Sequence, residues 1–204
     1  MSTKDQPTRS TRDVILDAAV LLFAEQGPGI TLDEIARRAG LSRQSVYVHF
    51  GSRTGLLVAL VQHFDAQGML DGLVEKVMNA ASPLLALDAV AHLHAEYSPV
   101  AYPIARVFIT SRHEDEALEV AWKDRMEGRR HLYRHVVQWL QNEGLLAPEW
   151  RIEDATDMVS ALASWQVWEQ LVIEQHWSKE RYRKHLSYTL RAALVAGTEQ
   201  KPST

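Results

Sequence analysis

The chain contains no cysteine among its 204 residues, so it has neither a disulfide framework nor thiol chemistry. No apolar run approaches the ~18 residues that a membrane-spanning helix needs. The first ten residues are polar and lack the apolar core of a secretory signal. From these absences we expect a cytoplasmic protein with no membrane partner.

The sequence also lacks the usual marks of catalysis and of cofactor binding. It has no Ser-His-Asp ordering, no Gly-rich phosphate loop and no Cys/His cluster. His131 and His135 have metal-ligand spacing on a helix, but helical phase places both opposite Tyr133, on what we interpret as a solvated basic face. We therefore predict a protein that is not an enzyme, with no cofactor and no metal.

The net charge of −4 argues at first against a nucleic-acid partner, but the charge is uneven. Residues 1–55 contain seven Lys/Arg and six Asp/Glu, a net charge of +1, and the remainder carries −5. This asymmetry fits double-stranded DNA at the N-terminal end only. Because the positive charge is small, useful affinity would require a dimer that reads two half-sites.

Residues 31–50 have the pattern of two short helices joined by a glycine turn. Thr31 and Glu34 form a capping box, and Gly40 ends the first helix in the manner of a left-handed C′ residue. Ser42 is a suitable N-cap for a second helix that ends near Phe50. The pattern predicts a helix-turn-helix, whereas the alternative is an ordinary helical hairpin with a solvated face.

The second helix has the polarity of a DNA recognition helix. If Val46 and Phe50 are buried, a rotation of about 100° per residue points Gln44 and Val48 most directly outward. Glutamine can bond bidentately to adenine, and valine can pack on a thymine methyl group. We predict phosphate contacts for the flanking Tyr47 and His49 and for the start of the next helix at Ser52 and Arg53.

Residues 14–57 resemble the N-terminal domain of the tetracycline-repressor (TetR) family. The matching elements are Ile15-Leu-Asp-Ala-Ala, Leu22-Phe23, Gly27, Thr31, Ile35-Ala36, Gly40-Leu-Ser42, Tyr47-Val-His-Phe50-Gly-Ser-Arg53 and Leu56-Leu57. The resemblance implies a homodimeric bacterial repressor with a three-helix DNA-binding domain and a larger helical domain that binds an inducer. It also implies base-facing positions at Arg43, Gln44, Ser45 and Val48, and phosphate contacts at Thr31, Tyr47, His49 and Arg53.

Two positions depart from the family pattern. Val48 stands where the family usually has an aromatic residue, so any base contact there is smaller and apolar. Gly55 replaces a common helix former, at a cost of ~1 kcal/mol relative to alanine.

The whole chain reads as an all-α protein of about nine helices. We predict a polar tail over 1–10, the DNA-binding domain over 11–55, an effector-binding and dimerisation domain over 56–198, and a second tail over 199–204. Apolar spacing predicts one helix over 52–77 and a helix over 83–97 that Pro99 and Pro103 separate from a short successor. It also predicts a long helix over 115–142, an uninterrupted one over 153–175 and a last one over 179–196.

The helix over 153–175 is apolar on nearly all sides, so we expect its second face to meet a partner subunit. With the last helix it would form an isologous four-helix interface. The predicted interface residues are Leu162, Trp165, Val172, Leu186, Leu190, Ala193 and Leu194. The alternative is a monomer in which this helix is wholly internal.

Aromatic residues, histidines and methionines of the C-terminal region are candidates for an apolar ligand pocket. They are His94, Tyr97, Tyr102, Trp122, Met126, Trp139, Met158, Trp165 and Trp168. Ordinary core packing is the alternative for each of them.

Together these patterns predict a homodimeric repressor that a small lipophilic or aromatic effector releases from a palindromic operator. One alternative is a protein of the same fold that a protein partner controls. A less favoured alternative is an enzyme that uses the aromatic pocket.

Overall fold

The computed structural model describes residues 9–66 and 68–196, without the side chains of 64–66 and 114. Its helices are α1 (Thr11–Gln26), α2 (Leu32–Arg38), α3 (Arg43–Phe50), α4 (Arg53–Ala66), α5 (Met69–Met78), α6 (Pro83–Ser111), α7 (Glu116–Asn142), α8 (Ile152–Leu162), α9 (Trp165–Trp168) and α10 (Lys179–Leu194). Over these residues the one β-type pairing is an isolated bridge between Leu146 and Val195, which confirms the all-α class. The predicted tails lie outside the described residues, except for Arg9 and Ser10.

Packing divides the chain into two units. Among the described residues the first comprises 9–66 together with 103–122, and the second comprises 68–102 together with 123–196. Helices α6 and α7 each contribute one end to each unit. The first unit is larger than the predicted domain over 11–55, because Leu56, Leu60 and Phe108 are buried in one core with α1–α3.

Local capping signals begin each helix of the N-terminal region. The Ser10 hydroxyl accepts from the Asp13 amide at 3.1 Å. In the capping box, Thr31 Oγ1 accepts from the Glu34 amide at 3.3 Å, and the Glu34 carboxylate accepts from the Thr31 amide at 2.8 Å. Ser42 Oγ accepts from the Ser45 amide at 3.1 Å. The caps at Thr31 and Ser42 confirm the predicted starts of α2 and α3.

The second unit is built around α6, α7, α8 and α10. Its fully buried side chains include Leu87, Val137, Leu140, Val159 and Leu190. The end of α10 is tied to the loop after α7 by a bond from the Ala147 amide to the Leu194 carbonyl at 2.8 Å. The Arg191 guanidinium also reaches Asp88 on α6, with 2.8 Å between Nε and Oδ1.

The single helix predicted over 52–77 is wrong. Helix α4 ends at Ala66 and α5 begins at Met69, after Gly68 with φ of 68°. A left-handed residue cannot continue a right-handed helix, and glycine adopts that conformation without steric cost.

The predicted interruption at Pro99 and Pro103 is also wrong, because α6 runs unbroken from Pro83 to Ser111. Each proline removes one helical hydrogen bond, at about 3 kcal/mol. Neighbouring residues on both sides of the prolines are buried, among them Ala95, Ser98, Tyr102 and Ile104. Tertiary packing of this segment therefore outweighs the local cost.

The helix predicted over 153–175 is divided in two. Helix α8 ends at Leu162, and Ser164 caps α9 by accepting from the Val167 amide at 3.3 Å. A π-helical turn, Glu169–Glu174, follows α9 and completes the segment that was predicted as one helix. The break therefore replaces the continuous apolar helix that the spacing predicted with two shorter elements. None of the helices in the described residues combines the length and apolar character that crossing a bilayer requires.

Candidate nucleic-acid interface

Helix α3 presents the ridge that its sequence predicts. Val46 is fully buried and Phe50 is half-buried, which anchors the helix on the core of the first unit. On the opposite side Gln44 is exposed and Val48 is 77% exposed. Ser45 is half-buried, with its hydroxyl 3.0 Å from that of Ser42. An amide and a methyl-bearing side chain therefore stand one turn apart on a free surface, as base readout in a major groove needs.

A groove of about 510 Å³ lies beside this ridge. Its walls are residues 28–33 of the α1–α2 loop and the start of α2, together with Arg43, Tyr47, Ser52 and Arg53. Four of the five predicted phosphate-contact residues, Thr31, Tyr47, Ser52 and Arg53, are thus brought together. His49 is exposed on α3 but is not part of the groove, and its ring centroid lies 6.1 Å from that of Phe50.

Arg43 is held along one wall of the groove. Its guanidinium donates to the Asp33 carboxylate at 3.1 Å and to the Tyr47 hydroxyl at 3.2 Å, and it lies 5.3 Å from the Tyr47 ring centroid. The hydrogen bond to Tyr47 and the charge of Asp33 raise the pKa of Arg43 above its ordinary value. All three groups are exposed, so a phosphate can exchange with Asp33 at little cost. The base contact expected for Arg43 stays a prediction.

Arg53 has a role that the sequence did not indicate. Its half-buried guanidinium donates to the Ile30 carbonyl at 3.3 Å and to the Pro28 carbonyl. It also lies 6.0 Å from the Phe23 ring centroid, and burial lowers its pKa. These bonds hold the loop that forms the other wall of the groove. Arg53 therefore shapes the site in addition to contributing positive charge.

The turn between α3 and α4 explains the unusual glycine at position 55. Gly51 has φ of 69°, and the Ser52 amide donates to the Phe50 carbonyl at 2.8 Å. A Cβ atom added to Gly55 would lie 2.0 Å from the Phe50 carbonyl oxygen, far inside contact distance. Glycine at position 55 allows this close approach, which places Ser52 and Arg53 at the groove. The lower helix propensity of glycine is the cost of that arrangement.

Several basic side chains of the first unit are paired within it. Arg9 lies 3.2 Å from Asp17, and Arg38 lies 2.7 Å from Glu25. Such exposed pairs contribute little stability and leave the arginines able to exchange partners.

The predicted pocket residues do not form one group. His94, Tyr97, Trp165 and Trp168 belong to one aromatic cluster of the second unit, which Tyr182 completes. Tyr102 is buried, Met126 and Trp139 are half-buried, and Met158 is 37% exposed. Trp122 instead packs on the core of the first unit, 5.2 Å from the Arg112 guanidinium.

Most of the predicted dimer residues are buried inside the chain itself. Trp165, Leu186, Leu190 and Leu194 are at most 6% exposed, and Leu162, Val172 and Ala193 are half-buried. The apolar spacing marked faces that the single chain already buries, in part where α10 packs on α8 and on the π-helical turn. The exposed apolar or small residues of these two helices are Met158, Ala161, Tyr188 and Ala192.

Comparison with known proteins identifies the first unit. Residues 15–60 match the family described as bacterial regulatory proteins, tetR family. The chain is 46% identical over 54 residues to the uncharacterised HTH-type transcriptional regulator TtgW of Pseudomonas putida. The aligned segment covers 26% of this chain and 40% of that protein. It is 33% identical over 91 residues to the HTH-type transcriptional repressor LfrR of Mycolicibacterium smegmatis, covering 44% and 47% of the two chains. The chain thus spans less than half the length of these relatives.

The fold likeness extends further than the sequence likeness. A putative transcriptional regulator from Saccharomonospora viridis, solved in complex with choline, superposes with a TM-score of 0.78 at 17% identity, over 91% of this chain and 98% of that one. These similar proteins are named as regulators of transcription and not as enzymes. Residues 15–60 therefore match the DNA-binding domain of the tetR family of bacterial regulatory proteins, and the rest of the chain shares the fold of the regulator from Saccharomonospora viridis.

Proposed function

We propose that the chain is a homodimeric transcriptional repressor of the cytoplasm that reads a palindromic operator with α3 and is released by a small effector. The observation that carries this proposal is the exposed Gln44–Val48 ridge beside a groove lined by Thr31, Tyr47, Ser52 and Arg53. Base readout needs an exposed ridge of this kind, and contacts that position the protein on the DNA phosphate backbone need a groove beside it.

Each half-site would be read by one α3. Gln44 would bond to an adenine edge, and Val48 would contact a thymine methyl group. Arg43, released from Asp33, and the Tyr47 hydroxyl would bind phosphate oxygens and fix the register of the helix.

Dimerisation would use the outer faces of α8 and α10 instead of the buried stripe. Met158 and Ala161 on α8, with Tyr188 and Ala192 on α10, are exposed in the single chain. Tyr188 is 70% exposed, and tyrosine is enriched at protein interfaces, which favours a partner on this face. A twofold interface of this kind presents two recognition helices to a palindrome.

The effector would bind in the second unit, at the cluster around His94, Trp165 and Tyr182. A regulator of similar fold has been solved in complex with choline, which supports a small-molecule effector for this chain. Binding would favour a dimer whose recognition helices no longer match successive major grooves, roughly 34 Å apart. It can weaken DNA binding only by as much as the effector prefers that state.

Selection of bound duplexes from a random library, with the purified full chain, tests the proposal. We expect enrichment of an inverted repeat with half-site centres one helical turn, or a multiple of it, apart. A single unrepeated motif would contradict the dimer, and no enrichment at low salt would contradict sequence-specific DNA binding altogether.

A further inference from the structure

The interior of the second unit contains hydrogen-bonding atoms that find no partner among the described residues. They are Trp165 Nε1, Trp168 Nε1, Tyr133 Oη and His94 Nε2. An indole N–H can only donate, and a buried tyrosine hydroxyl has a proton to give. Because buried polar groups in folded proteins are nearly always paired, four such atoms in one unit call for a specific explanation.

His94 adds a donor of its own to this set. Its Nδ1 lies 2.9 Å from the Tyr182 hydroxyl and 3.1 Å from the Ser98 hydroxyl. Burial, assisted by the charge of Arg129 and opposed by the Ala163 carbonyl, lowers the pKa of His94 well below its ordinary value, so the imidazole is neutral. We assign Nδ1 as the acceptor from Tyr182, whose pKa burial raises. The proton of the neutral ring then resides on Nε2.

These atoms belong to one contiguous cluster. The ring centroids of His94 and Trp165 are 5.4 Å apart, those of His94 and Tyr182 are 5.9 Å apart, and those of Tyr182 and Trp168 are 4.9 Å apart. The Arg129 guanidinium lies 5.3 Å from the Trp165 centroid and 5.7 Å from the Tyr133 centroid. The break between α8 and α9 places both tryptophans here, next to a π-helical turn of the kind often found at functional sites.

Arg129 determines the charge of the cluster. It donates to the Ala163 carbonyl, but within the described part of the chain no carboxylate pairs with it. The next residue, Arg130, is fully engaged at the surface, 2.8 Å from Glu153 and 3.0 Å from Asp157. The cluster therefore combines an unneutralised cation with donors and with aromatic rings.

We propose that this donor cluster (His94, Arg129, Tyr133, Trp165 and Trp168) binds the carboxylate of a small amphiphilic effector, whose apolar body packs on the rings. A carboxylate supplies up to four acceptor sites, and its negative charge would pair with the Arg129 guanidinium. A quaternary ammonium such as choline, which favours aromatic rings without a cation beside them, does not suit the cluster. The inference rests on the proposed effector site and narrows its ligand to an anionic class.

Matched probes test the ligand class directly. Isothermal titration calorimetry of the full chain would measure the affinities of two probe series. Decanoate, 1-decanol and decyltrimethylammonium share one alkyl tail and differ in the head group. The aromatic carboxylate 1-naphthylacetate is paired with the alcohol 2-(1-naphthyl)ethanol. We expect at least one carboxylate to bind about tenfold more tightly than its alcohol, as one charge-assisted contact provides, and the ammonium not to bind. Equal or tighter binding of an alcohol or of the ammonium, or no binding by either carboxylate, would overturn the assignment.

Two variants connect the binding to the cluster. Tyr133→Phe removes an unpartnered hydroxyl, so a merely structural role predicts unchanged or higher thermal stability and no change in affinity. We expect it to lower carboxylate affinity about fivefold and to leave alcohol affinity unchanged. Arg129→Gln should abolish the preference for carboxylates, whereas Arg130→Gln, its surface neighbour, should retain it. Unchanged carboxylate affinity in both cluster variants would refute the site.

Operator release separates this inference from the proposed function. If a carboxylate binds the cluster but leaves the selected duplex bound in fluorescence anisotropy, the ligand assignment stands and release by this ligand fails. If only an alcohol binds and releases the duplex, the effector model stands and the carboxylate assignment fails.

Discussion

The two units of the molecule use polar side chains in opposite ways. In the first unit the groups of interest are at the surface and already have partners, as Arg43 has in Asp33 and Tyr47. In the second unit the indole nitrogens of Trp165 and Trp168 are buried and have none among the described residues. Exposed ion pairs exchange easily with a polyanion, whereas buried donors without partners would be satisfied by a ligand that supplies acceptors. The difference supports the proposal that the first unit binds DNA and the second unit binds a small molecule.

Gly55→Ala should have the largest effect, because its Cβ atom would meet the Phe50 carbonyl oxygen at 2.0 Å. We expect a loss of about 3 kcal/mol in the free energy of unfolding, measured by urea denaturation. Gly128→Ala in α7 is the matched control, since nothing lies within 4 Å of its added Cβ. That variant should gain about 0.5 kcal/mol or more. Equal effects would show that the α3–α4 turn is not tight.

Gln44→Ala tests the outward ridge of the first unit. We expect a loss of about 2 kcal/mol of discrimination at one base pair of each half-site, with affinity for unrelated duplexes retained. The measurement is anisotropy with single-substitution duplexes, and the exposed Gln141→Ala of the second unit is the control. A uniform loss on every duplex would mean that Gln44 positions the helix and does not read a base.

Neutral, buried His94 predicts a pH dependence for the second unit. Its pKa is lowered in the folded chain, so below about 6.5 the unfolded chain binds a proton that the folded chain does not. Stability should therefore fall by about 1.4 kcal/mol per pH unit as the pH drops from 6.5 towards the folded pKa. Urea denaturation between pH 7.5 and 5.0 measures this slope. His94→Gln should flatten it, and the exposed His131→Gln should not.

Tyr47→Phe should have the smallest effect. It removes the hydroxyl that accepts from Arg43 at 3.2 Å and that faces the groove. We expect binding to all duplexes to weaken alike, by about 1 kcal/mol. The exposed Gln141→Ala of the second unit, which lies in neither proposed site, should again leave DNA binding unchanged. A change in base preference for Tyr47→Phe would contradict a phosphate role.

Much of the first unit could be predicted because its signals are local. The Thr31–Glu34 capping box, the Ser42 cap and the glycine turn each act within a few residues, and each is present in the structure. The same spacing placed Val46 inward and Val48 outward. The carbonyl contacts of Arg53 could not be predicted, since their partners lie 23 and 25 residues away.

The second unit was harder to predict because packing there overrides local preference. Pro99 and Pro103 normally end helices, yet buried neighbours carry α6 through both. Apolar spacing showed that Leu186 and Leu190 are buried, but it could not show that their own chain buries them. The break at Ser164 lies within an apolar run, so the spacing did not indicate it. The placement of Trp165 and Trp168 depends on that break and could not be predicted either.

Hydrogen–deuterium exchange of the full chain, with and without the selected duplex, tests the division of roles most directly. We expect slower exchange of amides in residues 28–33 and 42–53, around the groove and α3, with smaller changes over 150–195. Protection confined to 150–195, with residues 28–53 unchanged, would contradict it.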